Sequence, residues 1–210
     1  MNCMGRLGAV IGVSILLGTA GCPSRQATVE APPVSPTSAA AKAIELYDAD
    51  KDGALSKKEL DKVPGILAAF DRYDLDKDKK VSQQEIADRL QKFVDNQLGL
   101  LSFVCQVNSS GRPLPGAQVR FVPEPFMEGM IKPAVGETGE TGAAQMSLDP
   151  ADPSPDLPLG LGLQWGIYKI QVTHPSAQIA EKYNTQTELG VEVSPIDMNS
   201  PLVVVDVKGR

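Results

Sequence analysis

Two twelve-residue segments with the same arrangement of acidic side chains lie 26 residues apart, and they constrain the fold more than any other feature of the chain. They read Asp48-Ala-Asp-Lys-Asp-Gly-Ala-Leu-Ser-Lys-Lys-Glu59 and Asp74-Leu-Asp-Lys-Asp-Lys-Lys-Val-Ser-Gln-Gln-Glu85. When a chain wraps into a loop, carboxylates at alternate positions converge on one point, where their oxygens suit a hard cation. We therefore expect two cation-holding loops, called here the first loop (48–59) and the second loop (74–85).

Both loops resemble the calcium-binding loop of the EF-hand family. In that family, positions 1, 3 and 5 supply side-chain oxygens, position 7 a backbone carbonyl, position 9 often a bridging water and position 12 a bidentate carboxylate. The resemblance implies Ca²⁺ as the cofactor. The implied ligand positions are Asp48, Asp50, Asp52, Ala54, Ser56 and Glu59 in the first loop, and Asp74, Asp76, Asp78, Lys80, Ser82 and Glu85 in the second.

The second loop departs from the family pattern at position 6, where Lys79 replaces the glycine found at Gly53. The turn there needs a positive φ, which costs a residue with a side chain roughly 1–2 kcal/mol. Three lysines, Lys77, Lys79 and Lys80, also bring positive charge to this loop. We therefore expect the second loop to bind calcium more weakly than the first.

Apolar residues recur at helical spacing around each loop, which predicts a paired EF-hand domain over residues 38–99. Before the loops they fall at matching offsets, namely Ala40, Ala43, Ile44 and Tyr47 in the first copy and Ile66, Ala69, Phe70 and Tyr73 in the second. Leu55 and Val81 occupy equivalent loop positions and are expected to face each other in a short ribbon. Dockerins are the nearest rival family, although Glu59, Glu85 and a clear leading helix favour the EF-hand.

Beyond Gly99 the pattern changes to alternating apolar residues separated by turns, which predicts an all-β antiparallel sandwich over 100–210. Strands are expected near 101–107, 117–122, 142–148, 166–173, 188–193 and 202–208. The segments 108–123, 139–142, 166–172 and 183–185 resemble the transthyretin-like, carboxypeptidase-regulatory-like domains, which have an immunoglobulin-like architecture. Cys105 is expected to be buried in the first of these strands. The predicted fold class is thus an all-α EF-hand pair followed by an all-β sandwich.

Residues 1–21 contain a basic residue, Arg6, and then an apolar run that is typical of a signal peptide and too short to span a membrane. The following Thr19-Ala20-Gly21-Cys22 resembles the lipobox of bacterial lipoproteins, which implies that Cys22 is lipidated. A plain secretory peptide and an uncleaved anchor are the alternatives. Residues 22–37 predict a flexible tether that joins a membrane surface in the cell envelope to the folded part.

Composition limits the remaining function classes. A net charge of -6 and a pI near 4.9 argue against nucleic acid as a partner. Since His174 is the only histidine and is expected in a turn, and since no triad or phosphate loop occurs, we do not expect an enzyme. The sequence predicts a calcium-binding lipoprotein with a structural or interaction role and an unknown protein or glycan partner. The alternative is a calcium-assisted adhesin or carbohydrate-binding protein, in which Trp165 and Tyr168 line a surface instead of the core.

Overall fold

The computed structural model describes residues 29–153, 162–197 and 201–208, and it combines α-helices with mostly antiparallel β-sheets. The predicted signal peptide and Cys22 lie outside these residues. The helices are α1 (Pro36–Tyr47), α2 (Lys57–Leu60), α3 (Pro64–Ala68), α4 (Phe70–Tyr73) and α5 (Gln83–Asn96). The strands are β1 (Ala54–Ser56), β2 (Lys80–Ser82), β3 (Val104–Ser109), β4 (Arg112–Pro113), β5 (Gln118–Pro123), β6 (Ala134–Glu137), β7 (Ala143–Gln145), β8 (Ser147–Leu148), β9 (Gly166–Thr173), β10 (Gly190–Val193) and β11 (Leu202–Val207).

Each acidic loop lies between two helices, with α1 and α2 around the first loop and α4 and α5 around the second. A proline occupies the first turn of α1, where its missing N–H has no helical partner to lose. Ser82 and Glu85 form a capping box that starts α5. The helix α2 is only four residues long, and Pro64 begins the next helix, α3. The described part of the chain contains no helix long and apolar enough to cross a membrane.

The two loops are joined by an antiparallel ribbon formed by β1 and β2. Leu55 lies directly opposite Val81 in this ribbon, and both side chains are fully buried. The sequence prediction for this pair is therefore confirmed. The ribbon places the two loops side by side through three pairs of backbone residues.

The C-terminal half forms two sheets that share buried side chains. One sheet has the order β10-β9-β5-β6-β8, and in the other β3 pairs with β11 on one side and with β4 and β7 on the other. Buried side chains alternate with half-buried ones along β3 and with exposed ones along the first part of β5, so Cys105 and Phe121 both face the core. The rings of Phe103 and Phe121 make an edge contact at 6.1 Å. The predicted burial of Cys105 is confirmed, and burial raises the pKa of its thiol to about 12.

The predicted all-antiparallel arrangement is wrong at one strand. The last strand, β11, pairs parallel to β3 through all six of its residues. Alternating hydrophobicity gives the faces of a strand but not its direction, and β11 arrives from the other sheet instead of through a hairpin. The strands β4 and β6 were also not predicted. The strand β6 lies within 123–141, where prolines and glycines gave the appearance of a long turn.

The helical half packs directly against the larger sheet. The helix α3 lies on β9 and β10, where Gly65 approaches the backbone of β9 and of β10. Gly190 of β10 is so close to α3 that an added Cβ would overlap the backbone of Pro64 and Gly65. The buried hydrophobic side chains of both halves form one continuous cluster. Within the predicted tether, Pro32 and Val34 are also buried, and α1 begins at Pro36.

Candidate metal centre

The first loop brings its three aspartates together. Carboxylate oxygens of Asp48, Asp50 and Asp52 lie within 4.8 Å of one another. Gly53 has a φ of +88°, and its N–H donates to Asp48 Oδ2 at 2.9 Å. The N–H of Ala54 donates to Asp52 Oδ1 at 3.0 Å. These backbone donors hold the carboxylates toward the inside of the turn, where their oxygens could together hold a metal ion.

Glu59 closes the first loop from the start of α2. Its Oε1 accepts a hydrogen bond from Ala49 N at 2.7 Å, next to the first aspartate, and its Oε2 accepts from Ser56 Oγ at 2.7 Å. The hydrogen bond from the Ser56 hydroxyl, supported by backbone donors, lowers the pKa of Glu59 to about 2. The carboxylate at position 12 is therefore negatively charged and spans from the end of the loop back to its beginning.

The second loop repeats this arrangement. Oxygens of Asp74, Asp76 and Asp78 again lie within 4.8 Å of one another. Lys79 has a φ of +72° and donates its N–H to Asp74 Oδ2 at 3.2 Å, which is the bond that Gly53 makes in the first loop. The predicted left-handed conformation of this non-glycine residue is confirmed. Asp74 Oδ1 is buried and has no hydrogen-bond partner among the described residues.

Glu85 matches Glu59 bond for bond. Its Oε1 accepts from Leu75 N at 2.8 Å, and its Oε2 accepts from Ser82 N at 2.8 Å and Ser82 Oγ at 2.9 Å. Burial opposes the charge of Glu85, but the hydrogen bonds from Ser82 and Leu75 keep its pKa below the ordinary value. Two independent stretches of sequence thus fold into the same polar network.

An ion pair crosses the ribbon from one loop to the other. The Lys80 ammonium of the second loop forms an ion pair with Asp52 of the first. This hydrogen bond and charge lower the pKa of Asp52 and raise the pKa of Lys80. A lysine side chain from one loop therefore neutralises part of the charge of the other.

The donor set fits a hard divalent cation. Each loop offers carboxylates, a hydroxyl and backbone carbonyls, and neither loop contains histidine or cysteine. Oxygen-only ligands favour calcium or magnesium over zinc or copper. The unpartnered Asp74 Oδ1 and the converging aspartates are what such an ion would satisfy. Ala54 and Lys80, the position-7 residues, are the first residues of β1 and β2.

Sequence reasoning missed a charged cluster where the helices meet β10. Arg89 of α5 is buried and makes two hydrogen bonds to Glu192, from Nη2 at 2.7 Å and from Nε at 3.1 Å. Arg72 of α4 donates to the same Glu192 Oε1 at 2.9 Å, and both arginines contact Asp197. One signal was available, since Arg89 falls on the buried apolar stripe of α5 that includes Ile86, Leu90 and Phe93.

A second buried charge, also missed, lies between the helices and the sheet. Glu124 is fully buried, and its two carboxylate oxygens have no hydrogen-bond partner among the described residues. The nearest cation is Lys169, with Nζ at 3.6 Å from Oε2. Burial raises the pKa of Glu124 to about 7, against the opposing charge of Lys169. No pattern in the sequence around Pro123 and Pro125 indicates this.

The other candidate residues take structural positions. Trp165 and Tyr168 are fully buried, as expected for core aromatics. His174 organises a turn, because its Nδ1 accepts from Ala177 N at 2.8 Å and its Nε2 lies 2.9 Å from Pro115 O. The two aromatic residues therefore offer no surface for stacking a sugar ring.

Comparison with known proteins does not assign the chain to a family. No protein-family model matches it, and no curated protein matches it. The residues of the two loops therefore carry the functional argument by their own geometry and chemistry.

Proposed function

We propose that the protein binds two calcium ions through a pair of EF-hand loops. The observation that carries the proposal is the repeated geometry. In each loop, three aspartates converge within 4.8 Å, and a glutamate at position 12 reaches back to the loop's second residue. The two loops also share a serine–glutamate capping box and are joined by one ribbon, which supports the same role for both.

Charge favours occupation by a divalent ion. Each loop concentrates four carboxylates in twelve residues, which repel one another unless a cation offsets them. Calcium accepts six to eight oxygens in flexible geometry, whereas magnesium requires a near-ideal octahedron and retains its water. A mixed set of side-chain and backbone oxygens from a wrapped loop therefore suits calcium better.

The proposed setting is the cell envelope, with the folded part held near a membrane by a lipid on Cys22. The support is the sequence resemblance of residues 19–22 to a lipobox, together with the sequence resemblance of residues 100–210 to transthyretin-like domains. Extracellular calcium modules bind at about 10⁻⁴–10⁻³ M. Sites of this affinity stay occupied outside the cell, so the ions stabilise the domain constitutively. This favours a structural or interaction role over a signalling role.

Isothermal titration of the full chain with calcium tests the proposal. We expect two ions to bind, and Asp48→Ala and Asp74→Ala each to abolish one binding event. Asp61→Ala, which changes an exposed aspartate outside both loops, is the matched control and should leave both events intact. Unchanged heats in both loop variants, or equal heats with magnesium at the same concentration, would overturn the proposal.

A further inference from the structure

Both helices that flank the second loop are tied to the same two carboxylates of the β-sheet half. Arg72 precedes the first aspartate of the loop by two residues, and Arg89 follows Glu85 by one helical turn. Glu192 Oε1 accepts from both guanidinium groups, at 2.9 Å from Arg72 and 2.7 Å from Arg89. Asp197 also contacts both arginines. We call Arg72, Arg89, Glu192 and Asp197 the carboxylate clamp.

The pair formed by Arg89 and Glu192 is shielded from solvent, whereas Arg72 and Asp197 of the clamp are 47% and 42% exposed. The Glu192 side chain has no exposure to solvent, and that of Arg89 is 9% exposed. The Arg89 guanidinium also lies 5.1 Å from the ring centre of Phe93. Burial opposes the charge of Arg89, but the hydrogen bonds and charges of Glu192 and Asp197 more than offset it and raise its pKa. A paired buried charge of this kind resists separation because either partner alone would be left without a counter-charge.

Among the residues that the structure describes, the first loop has no equivalent of the clamp. The internal repeat of 26 residues places Leu46 where the second copy has Arg72, and Val63 where it has Arg89. Leu46 is exposed and Val63 is buried among apolar residues. The two loops can therefore be compared within one chain. Among the described residues, ion pairs to the β-sheet half are made by the helices of the second loop and not by those of the first.

From this geometry we propose that the carboxylate clamp positions the second loop for calcium and couples its occupancy to the docking of α4 and α5 on β10. This inference rests on the proposed function. With the clamp closed, the oxygens of Asp74, Asp76 and Asp78 already lie within 4.8 Å of one another. The clamp and the ion therefore favour the same placement of the two helices, and each must strengthen the other.

The clamp also explains how the second loop tolerates its unfavourable residue. Lys79 holds a positive φ without being glycine, and this strain weakens the loop's preference for the binding conformation. Two helices fixed from outside restrict the loop ends and reduce the conformational freedom that calcium would otherwise have to remove. Glu192 and Asp197 are in this sense positioning residues, since they act on the ion only through the helices.

Calcium titration of the full chain separates this role from general stabilisation. The second loop is observed in an Asp48→Ala background, which removes the position-1 ligand of the first loop, and the first loop in an Asp74→Ala background. We expect Glu192→Gln to lower the calcium affinity of the second loop about tenfold, which lies within the usual range of coupling between sites. The affinity of the first loop should change by less than about twofold. Asp149→Asn is the matched control, because it breaks the ion pair between the buried Asp149 and the exposed Arg120 in the β-sheet half. It should change neither loop.

A second variant keeps the test decisive if Glu192→Gln does not fold. Asp197 is 42% exposed, so Asp197→Asn removes clamp contacts without leaving an isolated buried charge. It should weaken calcium binding by the second loop in the same direction and by a smaller factor. An unchanged affinity in a folded clamp variant, or equal weakening of both loops, would overturn the inference.

Hydrogen exchange measures the reciprocal effect. Calcium should slow the exchange of the amides of β10 in the unaltered chain and in Asp48→Ala, but not in Asp74→Ala. A protection that persists in Asp74→Ala would overturn the coupling. If the second loop of the unaltered chain bound no calcium, the proposed function would fail for that loop and the inference with it. Binding with an affinity insensitive to the clamp would overturn the inference alone.

Discussion

The ammonium of Lys80 and the carboxylate of Asp52 form an ion pair that joins the two acidic loops across their ribbon. Asp52 is one of the three converging carboxylates of the first loop, so the lysine occupies part of the charge that an ion would use. A partly exposed cation at this position would compete with the proposed calcium ion without excluding it.

Replacing Lys80 by Met should therefore raise the calcium affinity of the first loop, by about two- to fivefold, because the competing ammonium is gone. Calorimetric titration at low and high salt measures the effect, which should shrink as salt screens the pair. Lys77→Met removes the same charge from the same loop, and Lys77 has no ion pair among the described residues. If both variants change the affinity equally, net charge alone explains the result.

Replacing Lys79 by Gly should strengthen the second loop. The residue has a φ of +72°, and glycine adopts this conformation without the cost of roughly 1–2 kcal/mol that a side chain adds. We expect the free energy of unfolding to rise by about 1 kcal/mol, since glycine also loosens the unfolded chain, and calcium binding to tighten about fivefold. Urea denaturation and calcium titration measure the two effects.

The reciprocal change in the first loop is the control. A Cβ at Gly53 would meet no atom within 4 Å, so Gly53→Ala should weaken the loop only through its φ of +88°. If neither variant changed the free energy of unfolding, a positive φ would carry no cost for a residue with a side chain at either turn.

Replacing Glu124 by Gln should raise the free energy of unfolding at neutral and alkaline pH, where the buried carboxylate would otherwise be charged. The folded-state pKa is about 7, above the ordinary value of 4.5, so the folded protein holds this proton more tightly than the unfolded chain. The contribution of Glu124 to stability is therefore fully present below about pH 4.5, falls as the pH rises to 7 and is constant beyond. The full shift corresponds to about 3 kcal/mol.

Denaturant unfolding between pH 4.5 and pH 8 measures this effect. A glutamine side chain does not ionise, so Glu124→Gln should flatten the pH dependence, and its advantage should appear only toward pH 8. The groups facing Glu124 are Tyr47 of α1, the backbone of Gly65 in α3 and Lys169 of β9. Glu128→Gln changes an exposed neighbour and should leave the profile as it is. Parallel profiles for both variants would contradict the prediction.

Replacing Gly190 by Ala should destabilise the protein, because the new methyl group would overlap the backbone of α3. Backbone atoms cannot move aside from the new methyl group as the end of a flexible side chain can. We therefore expect a loss of about 1–3 kcal/mol in the free energy of unfolding. Gly139→Ala is the matched control, since its Cβ would lie 3.9 Å from the nearest atom, Ala143 O. A stability loss no greater at Gly190 than at Gly139 would mean that the helices and the sheet separate easily.

Local sequence predicted the loops well and the long-range contacts poorly. The pairing of Leu55 with Val81 and the left-handed turn at Lys79 follow from spacing within a few residues, which a repeat makes visible. The parallel strand β11 and the burial of Glu124 depend on segments that meet only in the folded chain. Arg89 combines the two cases. Its place on the buried face of α5 can be predicted from the sequence, but its partner Glu192, 103 residues away, cannot.

The continuous cluster of apolar side chains across α3, β9 and β10 has a consequence for how this protein can be divided. Cutting the chain near Gly99 would therefore yield two fragments that each expose an apolar face to solvent, instead of two independently folded domains. A separately expressed β-sheet half would therefore be prone to self-association, and any binding it displayed would reflect the newly exposed face as much as the native surface.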